Sequence, residues 1–258
     1  HVFAGQAAFH KGCLPVQGHQ AAGFVFPGVS QEGPDAGVRI IRGEEQFGRI
    51  SRCVFLLVRS DGKGIDFKRI LFALAVGKEL ERQGIEYEIF QIGSQPVRDC
   101  IGCGQCNENG CVFADDKVNE FVAKAKEADG FVFGTPVYYA HPSGRILSFL
   151  DRVFYSSGRA FAFKPAASVA VARRGGCSAS FDVMNKYYGI CQMPVAGSTY
   201  WNMVHGCEPG EVKMDAEGMQ TMRNLAKNLA WMMKCFEAGK VAGVPLPETE
   251  RGNQTNFI

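Results

Sequence analysis

From Cys53 onward, short continuous apolar runs alternate about five times with segments whose apolar residues recur every three or four positions. That rhythm constrains the fold more than any other feature of the chain. An apolar run without polar alternation suits a strand buried on both faces, the condition inside a parallel sheet covered by helices. CVFLLV (Cys53–Val58), GFVFGTPVYY (Gly130–Tyr139) and AASVAVARR (Ala166–Arg174) read this way. IEYEIFQIG (Ile85–Gly93) alternates as a strand, and Met193–Tyr200 reads as a weaker fifth. Between them the spacing predicts helices over Phe67–Gln83, with Gly84 closing it, over the segment opening DDKVNEFVAKAKEAD, and over Arg145–Ser156 and Ser178–Gly189. A long last helix is expected over Asp215–Phe236, with Met219, Met222 and Met233 filling core on its apolar stripe.

Strand–helix repetition of this kind requires right-handed crossovers and helices on both faces. The expected class is α/β, a flavodoxin-like doubly wound five-stranded parallel sheet. Ligands in such sheets bind beyond the carboxyl ends of the strands. The segments Arg59–Asp66, Gln95–Cys111, Thr135–Gly144 and Arg173–Phe181 are therefore where a site is sought. The chain has 46% apolar and 21% charged residues, which suits a packed globular domain. Its formal charge of +2 excludes a strongly basic nucleic-acid surface, and its longest apolar runs are too short to span a bilayer. Residues 1–50 stand apart: three of the five histidines fall there, no tyrosine does, and no helical or strand period is sustained. They are expected to be an atypical extension, disordered or never selected to fold, with a small appended module as the alternative. Residues 51–258 are expected to form the domain.

Ten cysteines are unusual for a chain of 258 residues, and four of them, Cys100, Cys103, Cys106 and Cys111, crowd into one loop. With no signal-peptide layout at the start, a reducing cytoplasmic compartment is expected, where clustered thiols favour metal or redox chemistry over disulfides. The spacing C-x2-C-x2-C-x4-C resembles the bacterial iron–sulfur run, with Gly102, Gly104 and Gly110 easing a tight wrap. Val112 takes the place of the proline that follows the fourth cysteine in ferredoxins. A 4Fe–4S cluster is the first reading, a loop without metal the second and zinc the third. The loop follows the second strand, so it is expected on the same rim as a sheet-bound cofactor.

Two further segments border that rim. Thr135-Pro136-Val137-Tyr138-Tyr139 is a proline-fixed turn carrying flat aromatics, and Arg173-Arg174-Gly175-Gly176 offers two cations and a flexible turn. In the order CIGCGQC…CVFADD, EADGFVFGTPVYY, GRILSFLDRVFYS, ARRGG and YWNMVHG, the stretch from about Phe72 to Ile258 resembles the iron–sulfur flavoproteins and NAD(P)H-dependent FMN reductases. The resemblance implies an FMN-binding domain that uses NAD(P)H as co-substrate and forms homodimers or homotetramers. It places Thr135, Pro136, Val137, Tyr138 and Tyr139 along the isoalloxazine and ribityl chain, and Arg173, Arg174 and Gly175 on the ring's other side. It also places the phosphate on the loop after the first strand. There the family's G-S-P-R-x-x-G-x-[ST] is replaced by VRSDGKGID, in which Ser60, Gly62, Lys63 and Gly64 can still form an anion-binding nest while Asp61 and Asp66 oppose it.

Among lesser candidates, His141 and His205 flank the expected flavin site. Asp115 and Asp116 are expected to cap a helix, Asp151 and Arg152 to form a structural pair, and Cys177 and Cys191 to be ordinary buried thiols. No catalytic residue is assigned, because a flavin would carry the chemistry. The expected function is flavin-dependent transfer of electrons from NAD(P)H to a small acceptor such as a quinone, nitroaromatic or flavin. The alternatives are a non-enzymatic electron carrier and a cysteine-based redox or metal sensor without flavin.

Overall fold

The computed structural model describes residues 51–57, 67–208, 210–253 and 255. Five strands, β1 (Arg52–Leu57), β2 (Glu86–Gln91), β3 (Gly130–Tyr138), β5 (Ala166–Ala172) and β6 (Met203–His205), form a parallel sheet in the order β2-β1-β3-β5-β6. The two-residue β4 (His141–Pro142) folds back antiparallel on the end of β3. Helices α1 (Phe67–Arg82), α2 (Val118–Glu127), α3 (Gly144–Ser157), α4 (Cys177–Ile190) and α5 (Ala216–Val241) make the connections and the C-terminal cover. Strand order reverses between β1 and β3, so the crevice above their carboxyl ends is the switch point of the doubly wound sheet. Among the described residues, no helix is long and apolar enough to cross a membrane.

The alternation along β3 sorts the core. Phe131 and Phe133 pack with Phe121, Phe149, Phe161 and Tyr188 on the α2–α3–α4 face, while Val132 packs with Phe55, Leu80, Leu225 and Leu229 on the α1–α5 face. The first face is joined ring to ring, as in Phe121–Phe149 at 5.7 Å and Phe133–Tyr188 at 5.3 Å between centroids. The second is mostly aliphatic, with Phe55 and Phe72 among its members, and takes Met222 and Met233 from α5 as expected, with Met219 half-buried at its edge.

Several expectations shift. The apolar spacing of α1 predicts a stripe of Ile70, Leu71, Leu74 and Leu80, whereas Phe72, Ala73, Val76 and Leu80 are buried and Leu71 and Leu74 are only half-buried. Gly77 explains the rotation: a Cβ there would meet the Tyr87 ring at 2.5 Å, so the helix lies directly on β2 along that edge. Met193–Tyr200 is not the fifth strand. Pro194 removes a ladder donor, only Val195 makes an isolated bridge to Ala166, and the chain bends at Thr199 and Tyr200 before β6 pairs with Ala170–Ala172. Gly84 closes α1 as expected at φ 75°, with its N–H donating to Glu81 O at 2.9 Å.

Candidate functional site

The rim is built where β3 leaves the sheet. Thr135, buried, donates through Oγ1 to Pro136 O at 2.9 Å and accepts from Ser143 N at 3.1 Å, which ties the outgoing strand to the start of α3. Tyr138 then pairs with His141 across a two-residue turn, Tyr139–Ala140, whose φ angles are 51° and 58°. Two positive φ values define the tight hairpin turn that glycine and asparagine favour. Here a tyrosine and an alanine hold it, and strained backbone of this kind clusters at ligand sites. Tyr139 is fully exposed and Tyr138 is 42% exposed.

The turn after β5 meets this hairpin directly. Gly176, at φ 94°, lies so close that a Cβ would fall 2.4 Å from Ala140 Cα and 2.8 Å from Val137 Cγ1. Thr135, Pro136, Val137, Tyr138 and Tyr139 are thus joined to the segment Arg173, Arg174 and Gly175, all three exposed, which leads into the N-terminus of α4. Exposed aromatics, two cations and a helix N-terminus suit a flat, electron-rich, anionic group. Ser60, Gly62, Lys63 and Gly64 lie outside the described residues, as does the extension 1–50. His141 stands beside the hairpin, its Nδ1 donating to Pro142 O at 3.0 Å.

Sequence reasoning missed an alignment next to the rim. Cys177 Sγ lies 3.9 Å from His205 Nε2, and His205 Nδ1 lies 3.6 Å from Asp215 Oδ2. Asp215 also accepts from His205 N at 2.7 Å and from Gly218 N at 2.9 Å, so it caps α5. The order Cys–His–Asp resembles a nucleophilic triad, but the thiol is 3% exposed, and burial, helped by Asp215, pushes it up to about 11. It is a packed thiol, as expected, while Cys191 is half-buried rather than buried.

The cysteine loop begins at the rim and leaves it. Arg145, at the start of α3, donates to Gly93 O at 2.8 Å and Ser94 O at 3.2 Å. The loop then descends along α3, and Cys100, Cys103, Cys106 and Cys111 line one narrow cavity with Phe113, Arg152 and Tyr155. Arg152 and Tyr155 are eight and eleven residues past Gly144, roughly 12–16 Å along the helix axis. The cysteines therefore lie away from the rim. The loop's length carries them to the flank of the helix, which the order of motifs alone does not reveal.

Asn119 clasps the last cysteine: Oδ1 accepts from Cys111 N at 2.9 Å and Nδ2 donates to Cys111 O at 2.8 Å. Gly110, at φ 115°, leaves the Asn119 side chain its space, since a Cβ there would meet Oδ1 at 2.5 Å. Burial, reinforced by Cys111, Cys103 and Cys100, raises the Cys106 thiol. All nine cysteines among the described residues are unpaired. No group of three or more His, Cys, Asp or Glu among those residues stands where it could hold a metal ion. A tetrahedral zinc site would need its sulfurs roughly 3.8 Å apart. The cavity measures about 10 Å³, the room of one water, and Cys103 on its edge is exposed. Four soft donors converging on one cavity nevertheless match the chemistry of an iron–sulfur centre.

Arg152 does not pair with Asp151. Its guanidinium reaches Asp116 and the cysteine loop, whereas Asp151 accepts from the Tyr187 hydroxyl at 2.5 Å. Asp116 Oδ1 also accepts from Val118 N at 3.0 Å at the start of α2, and Asp115 lies 3.6 Å from Arg98 instead of capping.

Residues 70–208 match the family model described as NADPH-dependent FMN reductase. An iron-sulfur flavoprotein of Methanocaldococcus jannaschii is 32% identical over 170 residues, covering 61% of this chain and 86% of that one. The chain belongs to the NADPH-dependent FMN reductase family, among its iron–sulfur flavoproteins. This membership brings a general flavin-binding oxidoreductase function. A second family member, the iron-sulfur flavoprotein of Methanosarcina thermophila, is 27% identical over 186 residues, covering 70% of this chain and 95% of that one. Among solved structures, RosB with bound 8-demethyl-8-formylriboflavin-5'-phosphate shares the fold at a TM-score of 0.52 and 14% identity, covering 81% of this chain and 92% of that one.

Proposed function

We propose that the protein is an NAD(P)H-dependent FMN oxidoreductase that passes electrons to a small acceptor such as a quinone, a nitroaromatic or free flavin. The observation that carries this reading is the junction of the β3 hairpin with the β5 turn, Gly176 against Ala140, beside the switch point of the sheet. Bound FMN would supply hydride acceptance and one-electron release. Tyr138 and Tyr139 offer aromatic faces to its ring, Thr135 holds the turn that presents them, and Arg173 and Arg174 supply positive potential at the electron-rich edge. Ser60, Gly62, Lys63 and Gly64 would receive the phosphate through backbone amides and the lysine ammonium. Cys100, Cys103, Cys106 and Cys111 would hold a 4Fe–4S cluster, a reading supported by the curated relatives' name of iron-sulfur flavoprotein.

The same reading has the protein cytoplasmic and acting as a homodimer or homotetramer. Unpaired cysteines support the reducing compartment, and exposed Tyr155 and Ile190, which line one open cavity, support a subunit contact. Protein prepared without oxygen and supplied with FMN is expected to oxidise NADPH or NADH only when flavin and an acceptor such as menadione are both present. Bound flavin with no nicotinamide oxidation would point to an electron carrier. Iron without retained flavin would point to a redox or metal sensor.

A further inference from the structure

Arg152 is the largest fully buried side chain of the described residues, 1% exposed on the inner stripe of α3 beside Leu150 and Val153. Burying a guanidinium is costly unless every donor is engaged, and an apolar side chain would fill the same place without that cost. The helix therefore gains nothing from it as core. All of its partners belong to residues 98–116. Nε donates to Cys111 Sγ at 3.3 Å, Nη2 to Phe113 O at 2.7 Å, and Nη1 to Asp116 and to Arg98 O at 3.5 Å, with the Phe113 ring 5.9 Å away.

We infer that Arg152 is the positioning residue of the cysteine centre: it fixes Cys111 and, with Asp116 as its counterweight, sets how readily a cluster held there accepts an electron. The inference rests on the iron–sulfur reading above. When a one-electron donor such as dithionite reduces a cluster on these cysteines, no bond forms or breaks and the centre becomes more negative by one charge. A buried cation donating to a ligand sulfur favours that reduced form, because charge and hydrogen bonds at the sulfurs govern such potentials. Asp116, 11% exposed and paired with the same guanidinium, disfavours it. The two side chains must therefore move the potential in opposite directions.

The test is an anaerobic potentiometric titration of the reconstituted protein, followed by electron paramagnetic resonance, with iron and sulfide counted in each variant. Arg152→Gln is expected to lower the midpoint potential by about 59 mV or more, a tenfold change in the ratio of oxidised to reduced cluster. Arg152→Lys, keeping charge but losing the fork, should fall by less. Asp116→Asn keeps the acceptor for Val118 N–H and should raise the potential. If Arg152→Gln fails to assemble a cluster, the Lys and Asn variants decide by the sign of their shifts. Full clusters with unchanged potentials, or shifts of the same sign from Arg152→Lys and Asp116→Asn, would overturn the inference while leaving the iron–sulfur reading intact. Wild-type protein that takes up no iron would overturn that reading and this inference together.

Discussion

The rim and the cysteine loop are held by opposite means. At the rim, position follows from the sheet: β3 and β5 run parallel in register, their turns meet backbone to backbone at Ala140 and Gly176, and the exposed tyrosines sit at the strand end and on its turn. The cysteine loop has almost no regular structure. It is tied by single long side chains, with Arg145 at its start, Asn119 around Cys111, and Arg152 across Phe113 and Asp116. A site made of strand ends inherits its precision from the fold, whereas a site made of a long loop must bring its own struts. The loop's struts are polar and two of them come from α3, so one helix serves both regions.

If that contrast holds, the largest effect comes from the backbone contact. Gly176→Ala places a methyl group against Ala140 at a φ of 94°, and should cost about 3 kcal/mol and abolish flavin binding. Denaturant midpoints and FMN fluorescence quenching check it. A smaller loss, about 1–3 kcal/mol, is expected from Asn119→Ala, which leaves the Cys111 amide and carbonyl without their partners. Here amide exchange should accelerate in residues 98–113 while the β3 hairpin keeps its protection. Equal acceleration in both regions would dissolve the contrast.

The Cys177 thiol sharpens the comparison through pH. Its folded value, pushed up to about 11 by burial and Asp215, exceeds that of an exposed thiol. At pH 8 only about one molecule in a thousand carries the thiolate. In protein freed of any cluster, iodoacetamide should then modify Cys103 and spare Cys177, read by peptide mass spectrometry. Because unfolding frees Cys177 to ionise, stability falls as pH rises above the ordinary thiol value and through the folded one. The smallest effect is expected at Ala140. Glycine relieves its φ of 58°, and Ala140→Gly should stabilise by up to about 1 kcal/mol despite the added chain entropy.

Much of the architecture was legible because buried parallel strands write continuous apolar runs: β1, β3 and β5 fall within a residue or two of their expected bounds. The last strand was not, because β6 is three residues long and the preceding apolar stretch is interrupted by Pro194. At the rim, the segments Thr135–Tyr139 and Arg173–Gly175 were readable from their place after strands. That Gly176 rests on Ala140 is a tertiary contact with no local signature. Cys100, Cys103, Cys106 and Cys111 announced themselves by spacing. Arg152 did not, since an arginine next to Asp151 reads as half of a structural pair with it until the fold turns its side chain toward the cysteine loop.

The most direct test is to count FMN and iron in anaerobically reconstituted wild-type protein and in a variant with Cys100, Cys103, Cys106 and Cys111 all changed to serine. Two separately held regions predict that the wild type binds both and the variant loses iron while keeping FMN. A variant that loses flavin along with iron, or a wild type that binds no FMN, would contradict the account.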